Sequence, residues 1–193
     1  MNTKALFLLL VSAFLLSGCV NLKPQHDKTM LYTLGMSTSS RQEVDTSLVS
    51  YYVARPELPG YLQGTKMFVR TKSGEIDSLV GARWGENLGE GIARALGEYI
   101  QASGKAFVRS QYPWPKFSND TQDVRVLFKR FGVTDDGYVE VVGTWQVRKD
   151  RKTVREGRFQ FVDLKWDTAM PATYVAQLNK ALELLAQDIV NSI

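Results

Sequence analysis

The chain has 193 residues, of which 44% are hydrophobic and 23% are charged, and its formal net charge is +4 at pH 7. Basic and acidic residues are interspersed, which favours a solvated mixed surface over the massed basic patch of a nucleic-acid-binding protein. The length and the hydrophobic fraction indicate one domain with a sizeable core. The only cysteine, Cys19, cannot close an internal disulfide.

Residues 1–18 have the pattern of a secretory signal peptide. Residues 1–4 are short and basic, residues 5–16 form an apolar run broken only by Ser12, and two small residues follow. A transmembrane anchor is the alternative. A helix of this run would rise about 18 Å, against roughly 30 Å for the hydrocarbon core of a bilayer. The run is too short to span a membrane comfortably, so we predict a signal peptide.

The residues around Cys19 resemble the lipobox of bacterial lipoproteins. Leu16, Ser17 and Gly18 precede the cysteine. In such proteins the thiol receives a diacylglycerol, and the cysteine becomes the new N-terminus and takes a further acyl chain such as palmitate. The alternative is an unmodified thiol in a secreted protein, which is a liability in an oxidising compartment. We therefore predict S-diacylglycerol and N-acyl groups on Cys19, and Val20 in place of Asp implies sorting to the outer membrane.

Residues 19–29 are predicted to form a polar tether between the lipid and a domain that spans residues 30–193. Ten extended residues reach at most roughly 35 Å, so the domain would lie close to the membrane surface. His26, the only histidine, lies in this tether with no cysteine or carboxylate cluster at ligand spacing. We therefore predict no metal site, and no cofactor besides the covalent lipid.

The first half of the domain is predicted to contain short strands and then a helix. The candidate strands are residues 30–34, 48–53, 66–72 and 75–80. A period of four then predicts an amphipathic helix over residues 82–102. Its apolar side carries Trp84, Leu88, Ile92, Leu96 and Ile100.

Charges and glycines on this helix suggest two contacts. Glu90 and Arg94 have the i,i+4 spacing of an ion pair. Gly81, Gly85 and Gly89 fall four residues apart. This spacing predicts the close approach of a neighbouring helix or strand, with a membrane dimerisation motif as the alternative.

An aromatic loop follows the next short strand, AFVRS. Pro113 and Pro115 flank Trp114 and exclude a helix or a central strand. Tyr112, Trp114 and Phe117 therefore lie on a loop. Either the loop folds back with its aromatic side chains in the core, or it is exposed and these three residues bind a partner.

Three strands and a helix complete the domain. DVRVLFKRFGV, YVEVVGTWQVR and TVREGRFQFVDLK read as an antiparallel meander, with a tight turn at Asp135, Asp136 and Gly137. A second amphipathic helix follows Pro171. The predicted fold class is α+β, a single domain with a mostly antiparallel sheet and two amphipathic helices packed on one face.

The segments ELPGYLQGTKMFVRTKSGEI and ARWGENLGEGIARALGEYI resemble the ABC-type transport auxiliary lipoproteins, the PqiC-like family. The family pattern is a Leu-Pro-x-Tyr-Leu turn, a strand and a Trp-bearing amphipathic helix. The matching residues are Leu58, Pro59, Tyr61, Leu62, Trp84 and Leu88. The lipobox, the meander and the last helix fit the rest of the family, whereas the loop around Trp114 matches no family signature.

This resemblance implies a role in lipid traffic across the Gram-negative envelope. Such lipoproteins are held by their acyl chains on the periplasmic face of the outer membrane. They accompany MCE-domain proteins that form a tunnel through the periplasm, and they resemble a ring-shaped cap on its far end. The implied partners are an MCE-domain tunnel protein, the membrane and other copies of the chain in a homo-oligomeric ring, with no nucleic acid.

The residues suggest no enzyme. No histidine lies in the predicted domain, which excludes a Ser-His-Asp or Cys-His arrangement, and no Gly-Lys-Ser or Gly-Lys-Thr loop is present. Two hypotheses remain. The first is a non-enzymatic assembly component of a lipid transporter. The second is a lipid carrier with its own acyl-chain cavity. The large side chains of Trp84, Trp145, Phe159 and Phe161 favour the first, because they can fill the space between sheet and helices.

Overall fold

The computed structural model describes residues 28–35 and 45–193, so the predicted signal peptide, Cys19 and His26 lie outside the described residues. The described part contains eight strands and two helices. In chain order they are β1 (Met30–Tyr32), β2 (Ser50–Val53), β3 (Lys66–Arg70), β4 (Ile76–Trp84), α1 (Leu88–Ala102), β5 (Phe107–Gln111), β6 (Gln122–Thr134), β7 (Val139–Lys149), β8 (Lys152–Phe161) and α2 (Pro171–Ser192), with a 3₁₀ helix at Gly60–Leu62.

All eight strands belong to one sheet, in which β6 is central. Its first residues pair with β2 and its last residues pair with β3 on the same side. On that side β4 and then β1 continue from β3, and β5 continues from β2, while β7 and then β8 continue the sheet from the other side of β6. The antiparallel meander β6-β7-β8 confirms the sequence prediction.

The sheet is mixed. Four pairings, β1 with β4, β2 with β5, β2 with β6 and β3 with β6, are parallel, although the longest ladders are antiparallel. Helix α1 packs against β2 and β5, α2 packs against β7 and β8, and the two helices contact each other. The α+β class is thus confirmed, and the packing of both helices on one face stays a prediction.

The first helix begins later than the sequence period predicts. Residues 82–84 belong to β4, and the side chain of Asn87 caps α1 by accepting a hydrogen bond from the Gly89 N–H at 3.0 Å. Trp84 ends a strand, yet it is only 3% exposed and its ring centroid lies 5.9 Å from that of Tyr174. Trp84 thus matches the spacing of the apolar helix residues although it lies at the buried end of a strand. Of the three glycines spaced four apart, only Gly89 lies in α1, and the predicted close approach of a neighbouring strand occurs at Gly85, where an added Cβ would lie 3.5 Å from the Tyr32 carbonyl oxygen.

The predicted ion pair between Glu90 and Arg94 of α1 does not form. The Arg94 guanidinium forms ion pairs with Glu86, in the turn before the helix, and with Glu98 one turn further on. The same guanidinium donates a hydrogen bond to the Leu34 carbonyl oxygen at 2.7 Å. Arg94 therefore fastens the segment after β1 to the helix.

Large apolar side chains fill the space between the sheet and the helices. Trp145 and Phe159 are buried, Phe161 is partly buried, and the Trp145 indole N–H donates to the Asp188 carboxylate of α2 at 2.7 Å. Gly143 lies between the Phe128 and Phe159 rows of the meander, where an added Cβ would come within 2.7 Å of the Phe159 ring. A glycine is required there because the added Cβ would also lie only 2.1 Å from the Leu127 carbonyl oxygen of the neighbouring strand, and this backbone oxygen cannot move aside.

The two turns of the meander differ in how clearly the sequence predicts them. Gly137 has φ +87 in the predicted turn between β6 and β7, and the Thr134 hydroxyl donates to the Asp136 carboxylate at 2.5 Å. This hydrogen bond lowers the pKa of Asp136. Between β7 and β8, Asp150 and Arg151 both have positive φ, 48° and 65°. That turn has primed geometry without glycine.

Candidate functional site

The aromatic loop leaves β5 at Tyr112 and is held at its base by backbone and side-chain hydrogen bonds. The Tyr112 N–H donates to the Val53 carbonyl at 2.9 Å, and the Trp114 N–H donates to the Gln111 carbonyl at 2.9 Å. The Ser110 hydroxyl donates to the Pro115 carbonyl at 3.0 Å. These contacts tie both sides of the Pro-Trp-Pro turn to the end of the sheet.

The three aromatic residues of the loop occupy two environments. Tyr112 packs against the core, and the guanidinium carbon of Arg55 lies 5.4 Å from its ring centroid. Trp114 and Phe117 are 66% and 69% exposed. The alternative in which the loop buries all its aromatic side chains is therefore wrong for these two. Large exposed aromatic side chains on a fastened loop can anchor a protein partner, because little conformational entropy remains to be lost.

Charged side chains flank the loop. Lys116 forms an ion pair with Asp123 at 2.8 Å, and Arg125 lies 3.8 Å from the same carboxylate. Burial raises the pKa of Tyr52 on the neighbouring strand β2, and the charge of Asp123 adds to this effect. Both charge signs are therefore present beside the loop.

The sequence does not predict Arg55 as a neighbour of the loop. Arg55 follows β2, and β2 pairs in parallel with β5, so both strands end at the same edge of the sheet. A parallel pairing between segments more than fifty residues apart leaves no local signal in the sequence. The only sequence feature that points to this contact is the position of Arg55, two residues after a strand that carries two tyrosines.

The described residues offer neither a metal centre nor a membrane span. In residues 28–35 and 45–193, no group of three His, Cys, Asp or Glu side chains could hold a metal ion. Over the same residues, no helix has the length and the apolar character needed to cross a bilayer. Asp135 and Asp136 belong to a hairpin turn rather than a pair of catalytic carboxylates.

Two crystal structures share this architecture. One, of an uncharacterised protein, is 17% identical and has a TM-score of 0.64 over 74% of this chain and 90% of its own. The other, protein XCC0632 from Xanthomonas campestris, described as DUF330, is 14% identical and has a TM-score of 0.59 over 84% of this chain and 90% of its own. At these identities the likeness shows the fold alone. No curated protein matches the chain.

The chain forms a single α+β domain whose fastened loop exposes Trp114 and Phe117. The family model of the ABC-type transport auxiliary lipoprotein component matches residues 32–190, which is most of the chain. The chain belongs to this family. Its members are lipoproteins and auxiliary components of transport, and the family is not one of enzymes.

Proposed function

We propose that this chain is a non-enzymatic, lipid-anchored lipoprotein of the outer membrane that docks the periplasmic tunnel of an MCE-domain protein in an intermembrane lipid transport system. The family match over residues 32–190 carries the proposal. The resemblance to PqiC-like proteins supplies the tunnel partner, and the exposed Trp114 and Phe117 supply a surface for it. In this role the chain holds and orients the tunnel, while another subunit hydrolyses ATP.

The membrane attachment in this proposal is the acylated Cys19. Several acyl chains hold a protein on a bilayer, because each buried methylene contributes about 0.8 kcal/mol and one chain alone gives only marginal binding. We expect the Cys19→Ala variant to be unprocessed or soluble in the periplasm. Fractionation of envelopes with a high-salt wash measures this. Retention of the variant in the salt-washed outer membrane would contradict the lipoprotein assignment.

The docking surface in this proposal is the loop that carries Trp114 and Phe117. Interfaces are enriched in aromatic side chains at their centres and depleted in charge there. We expect a tagged full-length protein, solubilised from the envelope in detergent, to retain an MCE-domain protein that mass spectrometry identifies. A matched Trp114→Ala variant keeps the fold and is expected to retain less of this partner.

A homo-oligomeric ring is the third part of the proposal. Among the described strands, β1, β5 and β8 each pair along one side only. Unpaired strand edges need a cover or a partner. Head-to-tail contacts through such edges close into a ring when the rotation per subunit divides a full turn. A ring of discrete size would match the circular end of a tunnel.

The packing of the core supports docking over the lipid-carrier alternative. A carrier needs a continuous apolar cavity of several hundred Å³. Here Trp84, Trp145 and Phe159 occupy the space between the sheet and the helices. A surface groove of about 440 Å³ does exist, but Arg55, Glu57, Gln63 and Asn87 are among the residues that line it. A polar groove of this kind does not suit an acyl chain.

A further inference from the structure

Apolar side chains protrude where the chain enters the fold, at the outer edge of the sheet. Met30 and Leu31 of β1 are 63% and 69% exposed, and Val80 of β4 is 91% exposed. Met30 pairs with Ala82, two residues beyond Val80. Met30 and Leu31 point to opposite faces of β1, so they border the edge of the sheet from both sides. An isolated exposed aliphatic residue is ordinary, but three along one edge indicate contact with an apolar environment that covers this edge.

The exposure of Val80 results from an irregularity in the sheet. Lys66 pairs with Arg83 and Phe68 pairs with Ser78, so residues 79–82 lie opposite the single residue Met67. Gly81, at φ +74, allows the chain to turn within this bulge. Bulges redirect side chains away from the regular face of a sheet, and here the bulge turns a valine into solvent.

The same corner carries positive charge. The register places Lys66, Arg83 and Leu31 in one row across three adjacent strands, and all three are exposed, as is Lys28 before β1. Segments 28–32, 65–67 and 79–84 contain no Asp or Glu, although Asp27 and Asp77 lie close to them in the sequence. None of these three cations pairs with a carboxylate among the described residues.

The corner is also the point of the described fold closest along the chain to the proposed anchor. Eight residues lie between Cys19 and Lys28, and the nine Cα–Cα steps between these two residues span at most about 32 Å when fully extended. On the other side of β1 the chain is fastened. Arg94 holds the Leu34 carbonyl, and the Gly35 N–H donates to the Asn179 side chain of α2 at 2.9 Å. The orientation of β1 on the body is therefore fixed, so a lipid at Cys19 keeps this corner near the bilayer.

We propose that the surface formed by Lys28, Met30, Leu31, Lys66, Val80 and Arg83, here called the basic-aliphatic corner, rests on the phospholipid surface and orients the domain. The aliphatic side chains enter the interface, while the cations contact anionic headgroup phosphates. This inference rests on the proposed acylation of Cys19.

The full-length lipidated protein is suited to a depth measurement, because acylation occupies its only natural cysteine. Val80→Cys introduces one reactive thiol for an environment-sensitive fluorophore. Val154→Cys, on the exposed part of β8, is the matched control. Each labelled protein is reconstituted into vesicles of phosphatidylcholine and phosphatidylglycerol that carry lipid-linked nitroxide quenchers. We expect strong quenching and a blue-shifted emission at position 80, and neither at position 154.

A second comparison tests the role of the charges. The double change Lys66→Glu and Arg83→Glu, added to Val80→Cys, is expected to abolish most of the quenching at position 80, whereas Lys152→Glu on β8 leaves it unchanged. Equal quenching at positions 80 and 154 would overturn the inference. So would a blue shift at position 80 without quenching by lipid nitroxides, because a protein would then cover the corner.

Failure of the inference is distinguishable from failure of the proposed function. If the wild-type protein floats with the vesicles and takes up no label, its Cys19 is acylated. In that case, a fluorophore at position 80 that is not quenched would overturn the membrane contact of the basic-aliphatic corner but not the lipid anchor. If the wild-type protein takes up label at Cys19 or does not float, the proposed acylation of Cys19 is wrong. The proposed membrane contact of the basic-aliphatic corner then fails with it.

Discussion

Of the four tryptophans in the chain, three lie in the core and one lies on the surface. Trp84, Trp145 and Trp166 are buried, and the indole N–H groups of Trp145 and Trp166 both reach oxygen acceptors. Trp114 is the exposed one. The contrast allows two substitutions of identical chemistry to report on packing and on partner binding separately.

We expect Trp84→Ala to lower the free energy of unfolding by about 3–5 kcal/mol, because it removes a buried ring beside Tyr174. Trp114→Ala is the matched control and is expected to remain within about 0.5 kcal/mol of the wild type. Urea denaturation of both variants gives the two values. Equal midpoints would contradict the placement of the two rings. Glu86→Ala is an unsuitable control, because Glu86 pairs with Arg94.

Tyr174 makes alkaline stability a second measurable property at the residue scale. Burial raises the pKa of Tyr174 well above its usual range, and its hydroxyl donates to the Phe68 carbonyl at 3.2 Å. The folded state keeps a proton that the unfolded chain releases near pH 10, so this contribution is complete below about pH 10 and is lost as the pH rises further.

We therefore expect Tyr174→Phe to be less stable than the wild type by about 1 kcal/mol at pH 7, since one hydrogen bond is lost. At pH 11 the difference is expected to shrink by roughly 1 kcal/mol, because the variant has no such proton to lose. Urea denaturation at both pH values provides the comparison. A difference that stays constant or widens at pH 11 would show that Tyr174 does not keep its proton.

At the scale of elements, the sequence predicts local pairings well and distant ones poorly. The meander follows from alternation and a turn signal within about forty residues, and α2 follows from its apolar spacing and Pro171. The parallel pairings of β2 and β3 with β6 join distant segments, and the start of α1 was misplaced because Trp84 continues the helix period by accident. The sequence alone does not decide the exposure of Trp114, because an aromatic side chain on a loop beside a sheet can either pack into the core or bind a partner.

The turn between β7 and β8 offers a prediction for a single element. Asp150 and Arg151 both adopt positive φ, which costs an L-residue about 1–2 kcal/mol relative to its right-handed conformation. We expect Arg151→Gly to raise the free energy of unfolding by roughly 0.5–1 kcal/mol. Arg151→Val is expected to lower it, because a β-branched residue resists this conformation. Urea midpoints measure both, and midpoints in the reverse order would contradict the turn geometry.

At the scale of the whole molecule, the proposed ring predicts one discrete assembly. Mass photometry of the protein without its lipid, at increasing concentration, is expected to show monomer and a single larger species. The physical reason is closure, because a head-to-tail contact either completes a ring or continues without limit. A chain that remains monomeric at micromolar concentration, or that forms a ladder of sizes, would contradict the ring.

The central claim is that the fastened aromatic loop docks an MCE-domain tunnel protein at the outer membrane. Site-specific photo-crosslinking in living cells tests it most directly, with a photoreactive amino acid in place of Trp114 and, as control, in place of Val154 on β8. Both positions are exposed, so both variants are expected to fold. The account predicts a crosslink from position 114, and not from position 154, to a protein that mass spectrometry identifies as carrying an MCE domain. No such crosslink from position 114, while the protein is lipidated and present in the outer membrane, would contradict it.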